Sequence, residues 1–361
     1  MTTFTTIQIT DNFSNDSNPQ VSGYGEVVWE YEYSLFDHDI YYYDNGATSY
    51  IDTSFNDETN PQISYGGDVA YESYNSGTYD SNIGYYDWFS GTTETIANSY
   101  NYEYNPQIDG DYIVYEEEYS LYDHDIYAYN TYTGYETSVA TSFDYEWGPD
   151  VAGDYVTYHS EYAIGDNNIY LYDLYDGTTT TVAATGNNET NAHVSTYFTY
   201  DSDYNYEDHG AVVYEYEYSV DDTDIYLYLD ETGETRYLAT SSYDEINPDI
   251  AGNHVAWQAW DGYDYEIYRH DILTNTTEQL TDNSVDDIDP QVSDYGYVVW
   301  EHQYSLLDTD VYLYDGNTTQ YLATSTYDEI NPDVTGNHVT WQAWDGYDYE
   351  VYSAEITEQF V

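Results

Sequence analysis

The sequence predicts an all-β protein that folds as a single eight-bladed β-propeller with four strands in each blade, the N-terminal strand closing the last blade. Three observations lead to this prediction. A unit of about 42 residues recurs eight times, each unit contains four strand-like segments, and the N-terminus supplies a strand that the last unit lacks. Four short strands in a repeat of this length are typical of a propeller blade. No linker separates the units, so residues 1–361 are predicted to form one domain.

The repeat is marked by an Asn-Pro-x-(Val/Ile) anchor that occurs, with variations, once in each unit. Successive anchors are 42 to 45 residues apart, except for one interval of 56 residues that contains an insertion at about residues 195–208. The anchors begin at residues 18, 60, 105, 148, 191, 247, 289 and 331. A period of this kind indicates a repeat architecture rather than unrelated domains.

Each unit contains four short strand-like segments, and the first unit illustrates the pattern. Its segments are Pro19–Ser22, Glu26–Tyr33, Asp39–Asp44 and Ser49–Asp52. Side chains within them alternate between two faces with the period of two that is typical of a strand, and valine, isoleucine and aromatic residues are frequent. Asn, Asp and Gly lie between the segments, as turns require.

The two ends of the chain predict how the ring closes. Residues 5–12 match residues 276–283, which form a fourth strand in the sixth unit, so the N-terminus is a fourth strand with no blade before it. The last unit lacks the turn that should precede its own fourth strand. Thr3–Thr10 is therefore predicted to complete the eighth blade. Donation of this strand to a neighbouring molecule is the alternative.

The composition excludes several classes of function. The chain has 71 acidic residues and 2 basic ones, which gives a formal net charge of −69, and it contains no cysteine. Binding to nucleic acid or to an anionic membrane surface requires Lys and Arg, and a disulfide framework requires cysteine. No apolar stretch is long enough to suggest membrane insertion. The composition suits an extracellular or cell-surface location.

The same charge predicts cation binding. Repulsion among so many carboxylates destabilises a compact fold unless salt screens it or bound cations neutralise it. Calcium is the expected cofactor, because it takes roughly six to eight oxygen ligands and carboxylates supply them. Aromatic residues make up 20% of the chain and include 55 tyrosines, which favours a folded core over a disordered polyanion.

The candidate metal ligands are Asp-x-Asp pairs just before the third strand of units one, three, five and seven. Two such carboxylates can face the same cation; the alternative is that the second Asp accepts backbone N–H bonds and fixes the hairpin. Asp-Gly-Tyr-Asp loops form a second set, and two Asp-Glu pairs are interpreted as a solvated acidic rim. The residues are Asp37, Asp39, Asp123, Asp125, Asp222, Asp224, Asp308 and Asp310 for the pairs, Asp261, Asp264, Asp345 and Asp348 for the second set, and Asp244, Glu245, Asp328 and Glu329 for the rim.

Catalytic motifs are sparse. The sequence contains no nucleophile elbow, phosphate loop or His-Glu-x-x-His motif. His193 and His209 flank the insertion and break the repeat, which makes them the most notable of the nine histidines. The pairs His38 and His124, and His254 and His338, occupy equivalent repeat positions, which indicates packing or loop roles. The chain is therefore predicted not to be an enzyme.

The repeat resembles the TolB-like propeller repeat, in the version found in tandem in archaeal and bacterial cell-surface proteins. The likeness rests on an Asn-Pro-x-Ile-x-Gly-x-x-Val-x-Trp segment and an Asp-Ile-Tyr-x-Tyr segment, as in Asn247–Trp257, Asp125–Tyr129 and Asp224–Tyr228. The resemblance covers essentially the whole chain and implies the propeller fold. It carries little information on function, because such repeats serve many roles, and this chain departs from them in its lack of basic residues and its excess of tyrosine.

The expected function is a non-catalytic extracellular or cell-surface structural module that self-assembles into a layer or filament, with calcium neutralising its acidic loops. A homo-oligomer or polymer is the expected partner. One alternative is a carbohydrate- or ligand-binding propeller, with glycans as partners and a site at the channel mouth or beside the insertion. A polysaccharide-acting enzyme that uses His193 or His209 is a further alternative. Nucleic acid is not an expected partner.

Overall fold

The protein is built from β-strands, which confirms the predicted all-β class. The structure, a computed structural model, describes residues 2–163, 165–200, 206–305 and 308–358. These ranges contain thirty-two strands and no helix. Strand β1 (Thr2–Gln8) precedes the first repeat, and the other strands follow in the order of the repeats.

The repeats correspond to four-stranded sheets, which we call blades. Blades one to four contain β2 (Asp16–Val21), β3 (Val27–Ser34), β4 (Asp37–Asp44), β5 (Ala47–Asp52), β6 (Asp57–Ile63), β7 (Val69–Asn75), β8 (Asp80–Asp87), β9 (Thr92–Ala97), β10 (Tyr102–Asp109), β11 (Tyr112–Ser120), β12 (Asp123–Asn130), β13 (Tyr135–Ala140), β14 (Tyr145–Ala152), β15 (Tyr155–Ala163), β16 (Asp166–Asp173) and β17 (Thr178–Ala183). Blades five to eight contain β18 (Asn188–Tyr200), β19 (Tyr206–Ser219), β20 (Asp222–Leu229), β21 (Glu234–Ala239), β22 (Glu245–Ala251), β23 (His254–Trp260), β24 (Tyr265–Asp271), β25 (Thr276–Gln279), β26 (Asp287–Val292), β27 (Val298–Ser305), β28 (Asp308–Tyr314), β29 (Thr319–Ala323), β30 (Glu329–Thr335), β31 (His338–Trp344) and β32 (Tyr349–Glu358).

Strands within a blade are antiparallel and follow chain order, from β2 to β5 in the first blade and from β26 to β29 in the seventh. A single parallel pairing of His124 with Tyr145 links the sheets of the third and fourth blades. The eighth blade has the order β1-β32-β31-β30, and β1 places Phe4 opposite Ile356. The N-terminal strand thus pairs with the last strand of its own chain, which is the pairing that the sequence predicted.

Side chains of one blade hold the innermost strand of the next. The Asn60 N–H donates to Glu30 Oε1 at 2.7 Å, and between the last and first blades the Asn18 N–H donates to Gln342 Oε1 at 3.1 Å. Strand β30 also contacts β2 directly. The acceptors at the eight junctions are Glu30, Glu72, Glu116, His159, Glu215, Gln258, Glu301 and Gln342.

The anchor residue adopts a left-handed backbone conformation, which explains the preference for Asn. Asn18 and Asn60 have φ values of 50° and 52°, and Gly148 takes this position in the fourth blade with a φ of 59°. Asn, Asp and Gly tolerate this conformation better than other residues. The strand register shifts at the same place, for example between Ser17 and Gln20. The anchor is therefore a β-bulge that bends the innermost strand.

The hydrophobic core lies between successive blades. Clusters such as Val28, Ile40 and Val69 combine residues of two neighbouring blades and exclude solvent completely. Tyrosine occurs both in the core and on the surface. The ring of Tyr71 is buried, and its hydroxyl donates to Asp52 Oδ2 at 2.9 Å. Tyr33, on β3, is 70% exposed. Buried tyrosine thus fills space and keeps its hydroxyl bonded.

Candidate functional site

The predicted Asp-x-Asp pairs lie at the start of the third strand of their blades. The second Asp of each pair is buried, with exposures of 7% for Asp39, 8% for Asp125, 3% for Asp224 and 4% for Asp310. The structure extends the pattern to every blade as Asp-x-(Asp/Asn/Glu), which we call the third-strand motif. Its first positions are Asp37, Asp80, Asp123, Asp166, Asp222, Asp264, Asp308 and Asp348, and its last positions are Asp39, Asn82, Asp125, Asn168, Asp224, Glu266, Asp310 and Glu350.

A third acid comes to each motif from the next blade around the ring. It lies two residues before the anchor, on a first strand that packs against the third strand of the preceding blade. The interpretation of Glu245 and Glu329 as part of a solvated rim is wrong, because each is only 3% exposed between two blades. We call these buried residues the boundary acids: Asp16, Glu58, Glu103, Glu146, Glu189, Glu245, Asp287 and Glu329.

Several carboxylate oxygens at the blade boundaries have no hydrogen-bond partner. In the boundary acid Glu58, Oε1 accepts the hydroxyl of Ser54 at 2.6 Å, whereas Oε2 is buried and unpartnered. Both side-chain oxygens of Asp264 and of Asp348 are also unpartnered. A buried carboxylate of this kind is costly, because it has lost water and gained no donor.

In the Asp-Gly-Tyr-Asp loops the first Asp fixes the turn. Asp261 Oδ1 accepts the N–H groups of Tyr263 at 2.7 Å and of Asp264 at 3.2 Å. The second Asp is therefore not the turn-forming residue of this loop, contrary to the alternative raised for such pairs. Asp261, Asp264 and Glu266 each place one oxygen within 4.8 Å of the others, and the loop of the eighth blade repeats this cluster. Such acidic clusters can hold a metal ion.

Acids of one boundary raise one another's pKa. Burial raises the pKa of Glu58 to about 8, and the charges of Asp52 and Asp39 add to this effect. Burial likewise raises the pKa of Glu146 to about 7, with a contribution from Asp125 of the preceding blade. Like charges brought together in a low-dielectric setting favour the neutral form. The boundaries therefore favour either bound protons or a bound cation.

Buried carboxylates on the second strands are satisfied by hydrogen bonds. Glu116 Oε1 accepts the side-chain amide of Asn105 at 2.9 Å and the backbone N–H of Gly148 at 2.9 Å. Burial in this fold therefore does not by itself leave a carboxylate without donors. The shortage of donors is a particular property of the blade boundaries.

A second candidate site is the channel between the innermost strands. A cavity of about 580 Å³ is lined there by the third residue of every anchor. We call these side chains the channel ring: Gln20, Gln62, Gln107, Asp150, His193, Asp249, Gln291 and Asp333. Four positions are glutamine, whereas blades four, five and six present Asp, His and Asp in succession.

His193 lies between two carboxylates of the channel ring. Its Nδ1 is 3.7 Å from Asp150 Oδ2, and its side chain is 41% exposed. Burial lowers the pKa of His193, but the contact with Asp150 and the charges of Asp249 and Glu215 outweigh burial, so that the pKa is raised. Asp249 Oδ2 accepts the Val292 N–H at 2.6 Å, which fixes this carboxylate toward the next blade.

The insertion extends one hairpin, and its residues Ser195, Thr196 and Phe198 line a cavity of about 640 Å³. Strands β18 and β19 continue their antiparallel pairing through it, and residues 201–205 lie outside the described residues. His193 is opposite Val213 on this ladder, and His209 is opposite Tyr197, four positions further along. The two histidines suspected from the sequence are therefore not brought together.

Recurring histidines have the packing and loop roles that their repeat positions predicted. The imidazole of His338 packs over Gly25, and that of His254 packs over Gly296, so closely that a Cβ at either glycine would lie under 3.0 Å from the ring. His38 Nδ1 contacts Asp57 Oδ1 at 2.8 Å. These residues tie blades together at separate places.

Sequence reasoning alone overlooked both the boundary acids and the channel ring. A signal for the boundary acids was present, because an acid stands two residues before each of the eight anchors. The channel ring had a weaker signal, since the third anchor residue is polar in every repeat. Each signal emerges only when the repeats are compared position by position.

Comparisons with known proteins place the chain among propellers. No family model matches it, and no curated protein is similar to it in sequence. In fold it is similar to the β-propeller domain of the trilobed protease from Pyrococcus furiosus, with 13% identity, 97% and 96% of the two chains covered and a TM-score of 0.56. An oligogalacturonate lyase in complex with manganese matches with 13% identity over 99% of both chains and a TM-score of 0.58.

An acylaminoacyl peptidase from Pyrococcus horikoshii matches over 96% of this chain but 52% of its own, with 14% identity and a TM-score of 0.56. The chain thus spans about half the length of that peptidase. At these identities the likeness establishes the fold alone. The propeller fold implied by the TolB-like resemblance is confirmed.

These comparisons contradict the prediction of a non-catalytic, self-assembling surface module, which is therefore wrong. Propellers similar to this chain belong mostly to enzymes, namely peptidases and a lyase, and these neighbours give no support to a self-assembling module. The prediction that the chain is not an enzyme is contradicted on the same ground. Both predictions assumed that the repeat is poor in sites, whereas the channel ring gathers polar side chains of every blade around one cavity.

Within the described residues, no helix is long and apolar enough to cross a membrane.

Proposed function

We propose that the chain is a carbohydrate-active enzyme whose substrate binds in the central channel and whose acid–base residue is His193. The observation that carries this proposal is the position of His193 beside the cavity, between Asp150 and Asp249. Titratable groups with perturbed pKa values in a concave pocket are typical of active sites. The full-length match to a lyase that is itself a propeller supports an enzymatic role.

The channel ring favours a polyhydroxylated substrate. Glutamine amides donate and accept hydrogen bonds, and carboxylates accept them from hydroxyl groups, so the ring suits sugar hydroxyls. The charges of Asp150 and Asp249 repel an acidic sugar. Burial raises the pKa of Asp333 to about 6, which leaves this carboxyl largely ionised above neutral pH. We therefore propose a neutral or amino-sugar oligosaccharide as the substrate rather than a polyuronate.

Hydrolysis assigns a role to each residue around the histidine. The His193 imidazolium donates a proton to the glycosidic oxygen as the bond between this oxygen and the anomeric carbon breaks. Asp249 accepts a proton from the water that attacks the anomeric carbon, so that one water is consumed and the protons balance. Asp150 orients the imidazole and favours its charged form, because an adjacent carboxylate stabilises the imidazolium.

Replacing His193 with Gln tests the proposal, because four other blades carry Gln at this ring position. We expect His193→Gln to lower kcat by about 10²–10⁴-fold, the usual contribution of an acid–base residue, with little change in KM. The measurement is the release of reducing ends from neutral, amino-sugar and uronate oligosaccharides. The wild-type rate should fall as the pH rises through the raised pKa of His193, and this dependence should disappear in the variant.

The matched control is Glu94→Gln, which changes an exposed side chain on β9, outside the channel ring. Its kcat should remain near the wild-type value. Turnover by His193→Gln at the wild-type rate would show that His193 is not the acid–base residue. A wild-type protein that cleaves none of the oligosaccharides contradicts the proposed activity itself.

We also propose calcium as the cation of this protein, and an extracellular or cell-surface location. All-oxygen clusters at the blade boundaries support calcium, and extracellular modules bind it at about 10⁻⁴–10⁻³ M. The absence of cysteine and the net charge of −69 are compatible with that setting. Homo-oligomerisation and the one-domain organisation of residues 1–361 stay predictions.

We infer further that the eight blades form one closed ring. The contact of β30 with β2, the bond from Asn18 to Gln342 and the pairing of β1 with β32 support closure. A further bond runs from the Val21 N–H to Asp333 Oδ2 at 2.8 Å. These links join the first and last blades as other neighbouring blades are joined.

A further inference from the structure

We propose that each blade boundary is a calcium site assembled from two successive blades, with the third-strand motif of one blade and the boundary acid of the next as its protein ligands. The proposal rests on the calcium part of the proposed function and is independent of the channel chemistry. Calcium is the assigned ion because every protein ligand is a hard oxygen donor.

The first observation is the constancy of the three positions around the ring. The first motif residue is Asp in every blade, and the boundary acid is Asp or Glu in every blade. The residue between the two motif acids varies among His, Ser, Asn, Thr and Tyr. The repeat therefore keeps oxygen ligands at the boundary while it lets the intervening side chain change.

The second observation is a reciprocal exchange of side-chain length across the boundary. Six boundaries combine Asp or Asn at the last motif position with Glu as the boundary acid. The other two combine Glu with Asp: Glu266 lies near Asp287, and Glu350 lies near Asp16. One methylene group has moved from one strand to the other, so the combined reach is constant. At these two boundaries the unpartnered oxygen belongs to the longer motif residue, Glu266 or Glu350, whereas both oxygens of the shorter boundary acid accept side-chain N–H groups.

The third observation is the set of buried oxygens that meet at the blade boundaries without a partner. Glu58, Asp224, Asp310, Glu266 and Glu350 are each no more than 4% exposed. Polar contacts within the protein leave one oxygen of each side chain unused. The unpartnered atoms include Asp37 Oδ1, Glu58 Oε2, Asp80 Oδ1, Glu103 Oε2, Glu146 Oε2, Glu189 Oε2, Asp224 Oδ1, Glu266 Oε2, Asp310 Oδ1 and Glu350 Oε2.

The two arginines are engaged elsewhere. Arg236 Nε lies 3.6 Å from Glu234 Oε2, and Arg269 Nη2 lies 2.8 Å from Glu278 Oε1; both of these partner carboxylates are on fourth strands, β21 and β25. The chain contains no lysine. Neutralisation of the unpartnered boundary oxygens therefore requires protons or an external cation.

At the two boundaries where the boundary acid is Asp rather than Glu, a loop aspartate takes its place as a ligand. Asp287 Oδ1 accepts the indole N–H of Trp300 at 2.9 Å, which draws this carboxylate away from the cluster. Asp261 completes the cluster there, within 4.8 Å of Asp264 and Glu266. The eighth blade repeats the arrangement, with Asp345 in the equivalent place. Each boundary thus offers three or more side-chain oxygens, and backbone carbonyls or water supply the rest.

The test counts the calcium ions bound per chain. Full-length protein stripped with a chelator is equilibrated with millimolar calcium at fixed ionic strength, and the bound ion is measured by atomic emission. We expect one ion at each boundary at saturation. The boundaries that contain Asn82 and Asn168 should fill last, because each carries one negative charge fewer. Terbium luminescence sensitised by tyrosine provides a second readout.

A length-exchange variant tests whether the ligands come from two blades. Glu58→Asp shortens the side chain by one methylene group, which moves its carboxylate away from the site, and the variant should lose one bound ion. Adding Asp39→Glu to this variant supplies the longer motif side chain that Glu266 provides in the sixth blade, and should return the oxygen and with it the ion. The exposed Glu94, replaced by Gln, is the control for a general loss of charge. Asp310→Glu with Glu329→Asp makes the same exchange at another boundary should the first variant fail to fold.

Three outcomes would overturn the proposal: no calcium bound by the wild type, an unchanged count in Glu58→Asp, or no recovery in the double variant. An equal loss in Glu94→Gln would also overturn it, since that result would indicate diffuse counterion binding. The channel activity is measured separately by reducing-end release, so failure of one proposal is distinguishable from failure of the other.

Discussion

Removal of bound calcium at neutral pH is expected to lower the unfolding midpoint of this protein by on the order of 10–20 °C. The reason is the number of boundaries. An ion present at about 100 times its Kd stabilises the fold by about 2.7 kcal/mol per site, and about 1 kcal/mol corresponds to roughly 1–2 °C in a chain of this length. Several sites of even a fraction of that strength add up to the expected shift.

Thermal unfolding in EDTA and in millimolar calcium, followed by circular dichroism, measures this effect. Sodium chloride at matched ionic strength is the control, because a chain with a net charge of −69 is stabilised by screening alone. The expected result is a calcium effect well beyond that of sodium. Equal midpoints in the two salts would mean that screening, not site binding, stabilises the acidic fold.

Without calcium, the protein should lose stability as the pH rises from about 5 to about 8. Burial raises the pKa of Glu58 to about 8 and those of Glu103 and Glu329 to about 7, all above the value in an unfolded chain. A raised folded-state pKa means that the folded chain binds more protons. The stabilisation that these bound protons give the fold is therefore complete below the unfolded-state pKa, and it is lost as the pH rises through the folded-state pKa.

Unfolding midpoints in EDTA over this pH range test the sign. Calcium should reverse or flatten the trend, because its ligands must be deprotonated and its affinity rises with pH. An EDTA midpoint that increases toward pH 8 would show that the boundary carboxylates are not the groups that dominate acid–base linkage in this fold.

Much of the architecture was accessible from the sequence because it is encoded locally. Alternation with period two marked the strands, and the Asn of each anchor marked a left-handed bulge that few residues tolerate. The match of residues 5–12 to a fourth strand predicted the pairing of β1 with β32. These features depend on neighbours in the chain, so that they can be read without tertiary structure.

The candidate sites were only partly accessible because their residues meet across blades. Asp39 was singled out from its own loop, but Glu58, nineteen residues later, belongs to the next blade and was not connected with it. Glu245 and Glu329 were interpreted as solvated, since an Asp-Glu pair in a loop is usually exposed. Burial between two sheets, rather than residue type, decides their electrostatics.

The function prediction is wrong because it rests on features that all the repeats share. Features common to all blades, such as the anchors and the third-strand motifs, support the ring as a whole. In the proposed function the single active centre lies where the repeat is broken. His193 is such a break, since it is the one histidine in a ring of amides and carboxylates.

Deletion of residues 2–10 is expected to cost the fold on the order of 5 kcal/mol, because it removes an entire strand from the last blade. Strand β1 pairs with β32 along its length, and Phe4 packs against the cluster that contains Trp341 and Ile356. Thr10 Oγ1 also accepts the Val351 N–H at 2.8 Å. Urea unfolding of the truncated and intact chains, both in calcium, measures the difference.

A synthetic peptide of residues 2–10 should restore the stability of the truncated chain in a saturable manner, whereas a scrambled peptide should not. Truncation also exposes the edge of β32, and an unpaired edge invites pairing with another chain. The truncated protein is therefore expected to form dimers or larger species that the peptide disperses. Unchanged stability after truncation would mean that the bonds from Asn18 and Val21 to the eighth blade suffice to hold the ring closed, and that β1 covers an edge without closing the fold.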